Sequence, residues 1–166
     1  MGVTLEQLLA SRDLRAQHQR DLLGKYPGRS LVCLTVQLPG PEKRNDTSLR
    51  IARAGVDAVR AAFSPEFEEL KDLETGFEGY FLVPTAPQEA KLKACVVEDT
   101  HPLGRLMDLD VVFGPDGAIL SRQDLNLAPR RCLLCDQPAR YCMRAKTHSQ
   151  AQLLERIEQM VKEYGI

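Results

Sequence analysis

The sequence predicts an α+β fold: a single domain over residues 1–166, with a mixed or antiparallel sheet, flanking helices and a C-terminal helical segment. Three observations lead there. Strand-like apolar runs and helical periodicities are both present, but they do not alternate as regular βαβ units. Gly114-Pro115-Asp116-Gly117 is a strong turn signal between two apolar runs, which marks an antiparallel hairpin. A chain of 166 residues, 43% hydrophobic and 27% charged, has material for one core and no more.

Thr4 is a plausible N-cap for an amphipathic helix to about Lys25, with Leu5, Leu8 and Leu9 opening an apolar stripe and Leu22 and Leu23 closing it. Arg12, Asp13, Arg15, Gln17 and Arg20 fall on its polar, solvated side, and Tyr26-Pro27-Gly28 stops it. Ser30 to Leu38 is β-branched and apolar, a strand ended by Pro39-Gly40-Pro41. After a polar loop, Thr47 caps a helix to about Phe63, with a further helical turn after Ser64-Pro65. A second strand is expected near Glu78 to Val83, a short helix over Pro84 to Lys93, and a third strand over Ala94 to Glu98. Leu106 to Phe113 and Ala118 to Leu120 form the hairpin. Leu125 to Arg131 reads as irregular, Cys135 to Lys146 as partly helical, and Ser149 caps a last amphipathic helix carrying Leu153, Leu154, Ile157, Met160 and Val161.

The net charge of −1, from 22 basic and 23 acidic residues, excludes a molecule that binds nucleic acid by bulk electrostatics. The charge is uneven, however. Arg130, Arg131, Arg140, Arg144 and Lys146 cluster against Asp136 alone, which suits a polyanionic ligand or an acidic partner. No apolar run approaches a membrane span, and MGVTLEQLLASRDLR lacks the layout of an export signal, so the cytoplasm is the expected compartment. The five cysteines are then expected as reduced thiols or metal ligands, with Cys33 and Cys95 in the core.

The chemistry concentrates in HPLGRLMDLDVV, residues 101–112. Asp108 and Asp110 alternate with Met107, Leu109 and Val111, and on a strand residues i and i+2 share a face. Two carboxylates projecting together repel each other, and a hard divalent cation such as Mg²⁺ removes the difficulty. That points to phosphoryl or nucleotidyl transfer. The competing reading is an edge strand with two acids on its solvent face. A third carboxylate would strengthen the metal reading; Glu98 is the candidate, with Asp99 next. Gly104 would let backbone approach a phosphate and Arg105 would fork onto it, with Ser121-Arg122 similarly placed across the hairpin. His101 and His18 carry slight functional weight. A second constellation, Cys132-x₂-Cys135-x₆-Cys142-x₅-His148, has the ligand types and number for tetrahedral Zn²⁺; the alternative is ordinary reduced thiols.

Four stretches together resemble the citrate lyase holo-acyl-carrier-protein synthases, the apo-citrate lyase phosphoribosyl-dephospho-CoA transferase family. They are LLASRDLRAQHQ (8–19), QLPGPEK (37–43), HPLGRLMDLDVV (101–112) and PRRCLLCDQPARYCMRAKTHS (129–149). The resemblance implies a nucleotidyltransferase that moves a phosphoribosyl-dephospho-CoA group from triphosphoribosyl-dephospho-CoA to a serine of the citrate lyase acyl carrier subunit, releasing pyrophosphate. It implies Mg²⁺ on Asp108 and Asp110, donor contacts from Arg105, Arg122, Arg130 and Arg131, and an acidic carrier docked on the basic C-terminal segment. Two departures stand out: Gly104-Arg105 lies closer to the acids than the Gly-Ser or Gly-Gly turn of wider nucleotidyltransferases, and Gln37 occupies a position where asparagine is expected. Two alternatives remain at this point: a non-catalytic zinc-stabilised module for an acidic partner, and a transferase for a different lyase or decarboxylase carrier.

Overall fold

The computed structural model describes residues 2–165. The elements run α1 (Leu5–Lys25), β1 (Ser30–Val36), α2 (Asp46–Phe63), β2 (Phe67–Leu73), β3 (Gly76–Val83), α3 (Pro87–Thr100), a 3-10 turn (Gly104–Leu106), β4 (Met107–Phe113), β5 (Ala118–Leu120), a second 3-10 turn (Gln123–Leu125), α4 (Ala139–Ala145) and α5 (Gln150–Tyr164). The five strands form one sheet in the order β2-β3-β1-β4-β5, and every neighbouring pair is antiparallel. The β1-α2-β2-β3-α3-β4 portion has the ferredoxin-like split βαβ connectivity, to which β5 adds an edge. The α+β expectation holds, and its mixed-or-antiparallel sheet resolves to antiparallel.

One face of the sheet is the main core. Val32, Leu34, Phe81, Val83, Met107, Leu109 and Val111 meet Ile51, Val56 and Val59 of α2, Ala90 and Ala94 of α3, and Ile157, Met160 and Val161 of α5. The capping signals act as read at two ends: Thr4 pairs with Gln7, and Ser149 with Gln152, each in a reciprocal capping box. The α2 cap is Asn45, paired with Ser48, rather than Thr47: the helix already starts at Asp46, and Asn45, with extended backbone just before it, accepts the Ser48 N–H on its Oδ1 at 2.8 Å.

Three elements differ from expectation. Ala94 to Glu98 is not a strand but the second half of α3, started by Pro87. The run KACVV is apolar enough for either state, but its buried residues Ala90, Lys91, Ala94, Cys95 and Glu98 repeat at helical spacing. Phe67–Leu73 (FEELKDL) is an edge strand, not a helical turn: pairing with β3 across the short Glu74-Thr75 turn outweighs its weak intrinsic β-preference. Helix α1 is also turned around. Leu5 is 72% and Leu14 72% exposed, whereas Ser11, Gln19, Leu22 and Leu23 are buried. Its inner face is polar over the first turns because the sheet surface beneath carries charge, as described next.

Candidate active site

Register places the acids. On the α1 side of the sheet, Thr35 of β1 lies between Glu78 of β3 and Asp108 of β4, and Cys33 lies between Tyr80 and Asp110. Asp108 and Asp110 therefore share a face with Glu78, as alternation requires. Towards the far end, Leu31, Leu82 and Val112 make this face apolar and pack on Leu22 and Leu23. The sheet surface under α1 thus grades from apolar to acidic.

Glu78 is neutralised from above. Arg15 Nε donates to Glu78 Oε1 at 2.9 Å, and the Tyr80 hydroxyl donates to Glu78 Oε2. His18 Nε2 lies 2.7 Å from Glu69 Oε2 and its ring meets Tyr80 edge-on. Arg15, read from sequence as solvated, is thus half-buried and ion-paired with the sheet. Burial pushes the Cys33 thiol up to about 12, in keeping with a core role.

The aspartates are not neutralised in this way. Gln37 Nε2 donates to Asp108 Oδ2 at 3.0 Å, and Arg130 Nη1 stands 3.9 Å from Asp108 Oδ1. Asp110 makes no hydrogen bond or ion pair among the described residues. Burial, then the Asp108 charge, pushes the Asp110 carboxyl up to about 6; burial and Glu98 raise Asp108 as well. This is a carboxylate pair left short of positive charge. Hard oxygen donors on one face, one of them unpartnered, fit a divalent cation.

Glu98 lies on α3, not at a strand end, and is 2% exposed. Its Oε2 accepts the Leu109 N–H at 2.9 Å, and Lys91 Nζ donates to the Leu109 carbonyl at 3.2 Å, so α3 satisfies the edge of β4 that β5 is too short to cover. Arg122 Nη2 donates to Glu98 Oε1 at 2.8 Å, and Arg130 Nη1 stands 3.4 Å from Oε2. Arg130 thereby links Glu98 to Asp108. Asp99 is tied to Arg122 at 2.9 Å.

The remaining candidates separate. Gly104 is required by α3 rather than by a ligand: a Cβ there would stand 2.4 Å from the Glu98 carbonyl oxygen. Its own carbonyl accepts from Arg130 Nη2 at 2.9 Å. Ser121 forms a local turn with Asp124. Arg122 is consumed by Glu98, Asp99 and the Ala128 carbonyl. Arg131 is 76% exposed against Asp136. His101 Nδ1 accepts the Leu103 N–H, a local cap. Arg105 has no hydrogen-bonded or ion-paired partner among the described residues; burial, with Arg130 nearby, holds its guanidinium below its usual range.

Arg105 faces a cleft of about 730 Å³ between the β1–α2 loop, the first 3-10 turn and the α4–α5 segment. Gln37, Lys43, Lys146 and His148 contribute its polar wall. Lys43 donates to the Leu38 carbonyl at 2.6 Å, and burial lowers its ammonium pKa. Gln37 is the hinge between cleft and acids, since its amide lines one and holds the other. Sequence reading passed over Gln37, Lys43 and Arg15 as site residues. All three lie in the stretches 8–19 and 37–43 already singled out; the β1–β4 register brings Gln37 to Asp108, while Arg15 reaches Glu78 from α1 and Lys43 reaches the cleft from the β1–α2 loop. Cys132, Cys135, Cys142 and His148 do converge: their ligand atoms all lie within 4.8 Å of one another, and Cys132, Cys142 and His148 form part of the cleft wall.

Comparison with known proteins places this chain in a family. The profile of the apo-citrate lyase phosphoribosyl-dephospho-CoA transferases matches residues 3–164. Apo-citrate lyase phosphoribosyl-dephospho-CoA transferases of Escherichia coli O1:K1 / APEC and of Shigella boydii serotype 18 are each 40% identical over 167 aligned positions, covering 98% of this chain and 90% of the relative. Both the stretch bearing the aspartates and the stretch bearing the cysteines fall inside the match. The chain belongs to the apo-citrate lyase phosphoribosyl-dephospho-CoA transferase family.

Proposed function

We propose that this protein transfers the phosphoribosyl-dephospho-CoA group to a serine of the apo-citrate lyase acyl carrier subunit, at the Asp108–Asp110 face and the cleft joined to it by Gln37. The observation that carries the reading is the carboxylate pair: two acids on one strand face, one without a partner and raised to about 6, beside a cleft walled by unpaired or desolvated cations. Family membership supplies the substrates.

In the reaction the serine oxygen forms a bond to the donor phosphorus, the bond from that phosphorus to the leaving pyrophosphate breaks, and the serine proton passes to solvent. Asp108 and Asp110 would hold Mg²⁺, which when bound offsets negative charge on the donor phosphates. Arg105, Lys43 and Lys146 bind phosphate oxygens from the cleft wall. Arg105 is the best suited, because its fork is uncommitted. Arg130 and Gln37 orient Asp108, and Glu98 keeps Arg130 in place; these three are positioning residues. The exposed side of α4, with Arg140, Tyr141, Met143 and Arg144, offers basic and apolar surface to an acidic carrier.

The test is transfer itself. Purified protein, triphosphoribosyl-dephospho-CoA, Mg²⁺ and apo-carrier should give a carrier heavier by the prosthetic group in an intact-mass spectrum. An unmodified citrate lyase carrier, with another lyase or decarboxylase carrier modified in its place, would reassign the acceptor. No modification of any carrier would remove the transferase reading.

A further inference from the structure

Between the second 3-10 turn and α5 the chain runs through a stretch with almost no core of its own. Among residues 129–149 the buried side chains are Cys132 (9% exposed) and Cys142 (6%). α4 has only seven residues. A segment so poor in buried apolar surface does not hold a fixed shape by the hydrophobic effect. Yet its backbone follows a definite path. Cys132 N donates to the Gln137 carbonyl at 2.7 Å and Ala139 N to the Arg130 carbonyl at 2.8 Å, closing a small hairpin around the Cys132–Cys135 turn. Leu134 N points at Cys132 Sγ at 3.4 Å. At the end of α4, Lys146 takes a left-handed conformation (φ 50°), a cost to a non-glycine residue, which reverses the chain towards His148.

Everything these turns accomplish is to bring four donor atoms together. Cys135 Sγ and Cys142 Sγ are 3.4 Å apart and not bonded, and all five cysteines are free. His148 Nε2 is buried and has no hydrogen-bond partner. A buried imidazole nitrogen without a partner costs free energy unless something else meets it. Two sulfurs on one tetrahedral ion with Zn–S near 2.3 Å stand about 3.8 Å apart, so four donors within 4.8 Å of one another are a few tenths of an ångström of side-chain adjustment from sharing an ion.

We infer that Cys132, Cys135, Cys142 and His148 bind one Zn²⁺ in a closed S₃N site that shapes the C-terminal wall of the cleft. Four protein donors leave no open position, so the ion is structural and separate from the chemistry at Asp108 and Asp110. Binding releases the thiol protons to solvent. The resulting site carries net charge −1, and Arg131, Arg140, Arg144 and Lys146 are interspersed with its ligands along the same segment. A redox dithiol would need two sulfurs; it gives no reason for a third thiol and an orphaned imidazole to join them.

The experiment is metal analysis of the purified reduced protein, followed by Co²⁺ exchange. We expect one equivalent of zinc per chain and, with cobalt, intense tetrahedral d–d bands together with a thiolate-to-cobalt charge-transfer band. Cys142→Ser should lose both. His148→Ala, placed at the rim and less prone to misfold, should retain the charge-transfer band with shifted d–d bands and a weakened metal affinity. Asp110→Asn should keep its full zinc, which separates this site from the transfer site. Reduced wild-type protein that stays metal-free in zinc-supplemented buffer, melts at the same temperature with and without zinc, and gives no cobalt spectrum overturns the assignment.

Discussion

Asp110 has the clearest electrostatic signature in the molecule: its carboxyl is held up at about 6 by burial and then by Asp108. A folded-state pKa above the unfolded one means that the folded protein binds the extra proton between the two values. Stability therefore falls as pH rises from the ordinary carboxylate range through about 6, and the penalty is complete above that. Metal-free protein should accordingly melt higher at pH 5 than at pH 7. Asp110→Asn should flatten that slope and raise the melting temperature at neutral pH, while abolishing transfer. Mg²⁺ should stabilise the wild type more above pH 6 than below it, and should not stabilise Asp110→Asn; thermal scans with and without the ion check both. Arg105 makes the opposite case. It holds nothing together in the free protein, so Arg105→Ala should leave the melting temperature unchanged. Its loss should weaken donor binding roughly tenfold or more, the worth of one charge-assisted hydrogen bond, seen as a raised KM for the donor.

At the scale of elements, α3 does more than fill the core. Its Lys91 and Glu98 take the place of a missing strand at the open edge of β4, and Glu98 anchors the two arginines that flank the acids. Glu98→Ala leaves partly buried Arg130 without its nearest counter-charge and Arg122 with Asp99 alone, and breaking a buried pair costs up to about 3–5 kcal/mol. Denaturant unfolding should show it, with activity lost alongside. Gly104→Ala forces the 3-10 turn away from the α3 carbonyls, with an expected cost of about 1–3 kcal/mol for overpacking and a displaced Arg105. These interactions explain what the sequence made legible and what it did not. The β4 acids, the β4–β5 hairpin and the caps at Thr4 and Ser149 are local patterns, and local patterns were enough to find them. The strand status of Phe67–Leu73, the helical status of Ala94 to Glu98 and the inward-facing Arg15 depend on partners tens of residues away. Of the α1 stripe, Leu8 is half-buried on the inner side with Ser11 and Leu22, but Leu5 and Leu9 point outward because a helix over a charged sheet surface turns Arg15 inward.

On the scale of the whole molecule, the sheet divides the labour. Its face under α2, α3 and α5 holds the main core, and its α1 face and adjoining cleft hold the proposed site. Resemblance and register complement each other in this division: the stretches 8–19, 37–43, 101–112 and 129–149 are scattered along the chain, and the antiparallel pairing of β1 with β3 and β4 gathers the first three around Asp108. The basic exterior of the fourth should make carrier binding weaken as ionic strength rises, and more weakly so in an Arg140→Glu, Arg144→Glu double variant. Among the described residues no helix is long and apolar enough to cross a membrane. The role of the aspartate pair is decided by an intact-mass assay of apo-carrier with wild type, Asp108→Asn and Asp110→Asn, each with Mg²⁺ and after chelation. A catalytic cation held by the two aspartates means prosthetic-group addition by the wild type with Mg²⁺ alone, and none by either variant although both remain folded. Full transfer by both variants, or by chelated wild type, would contradict it.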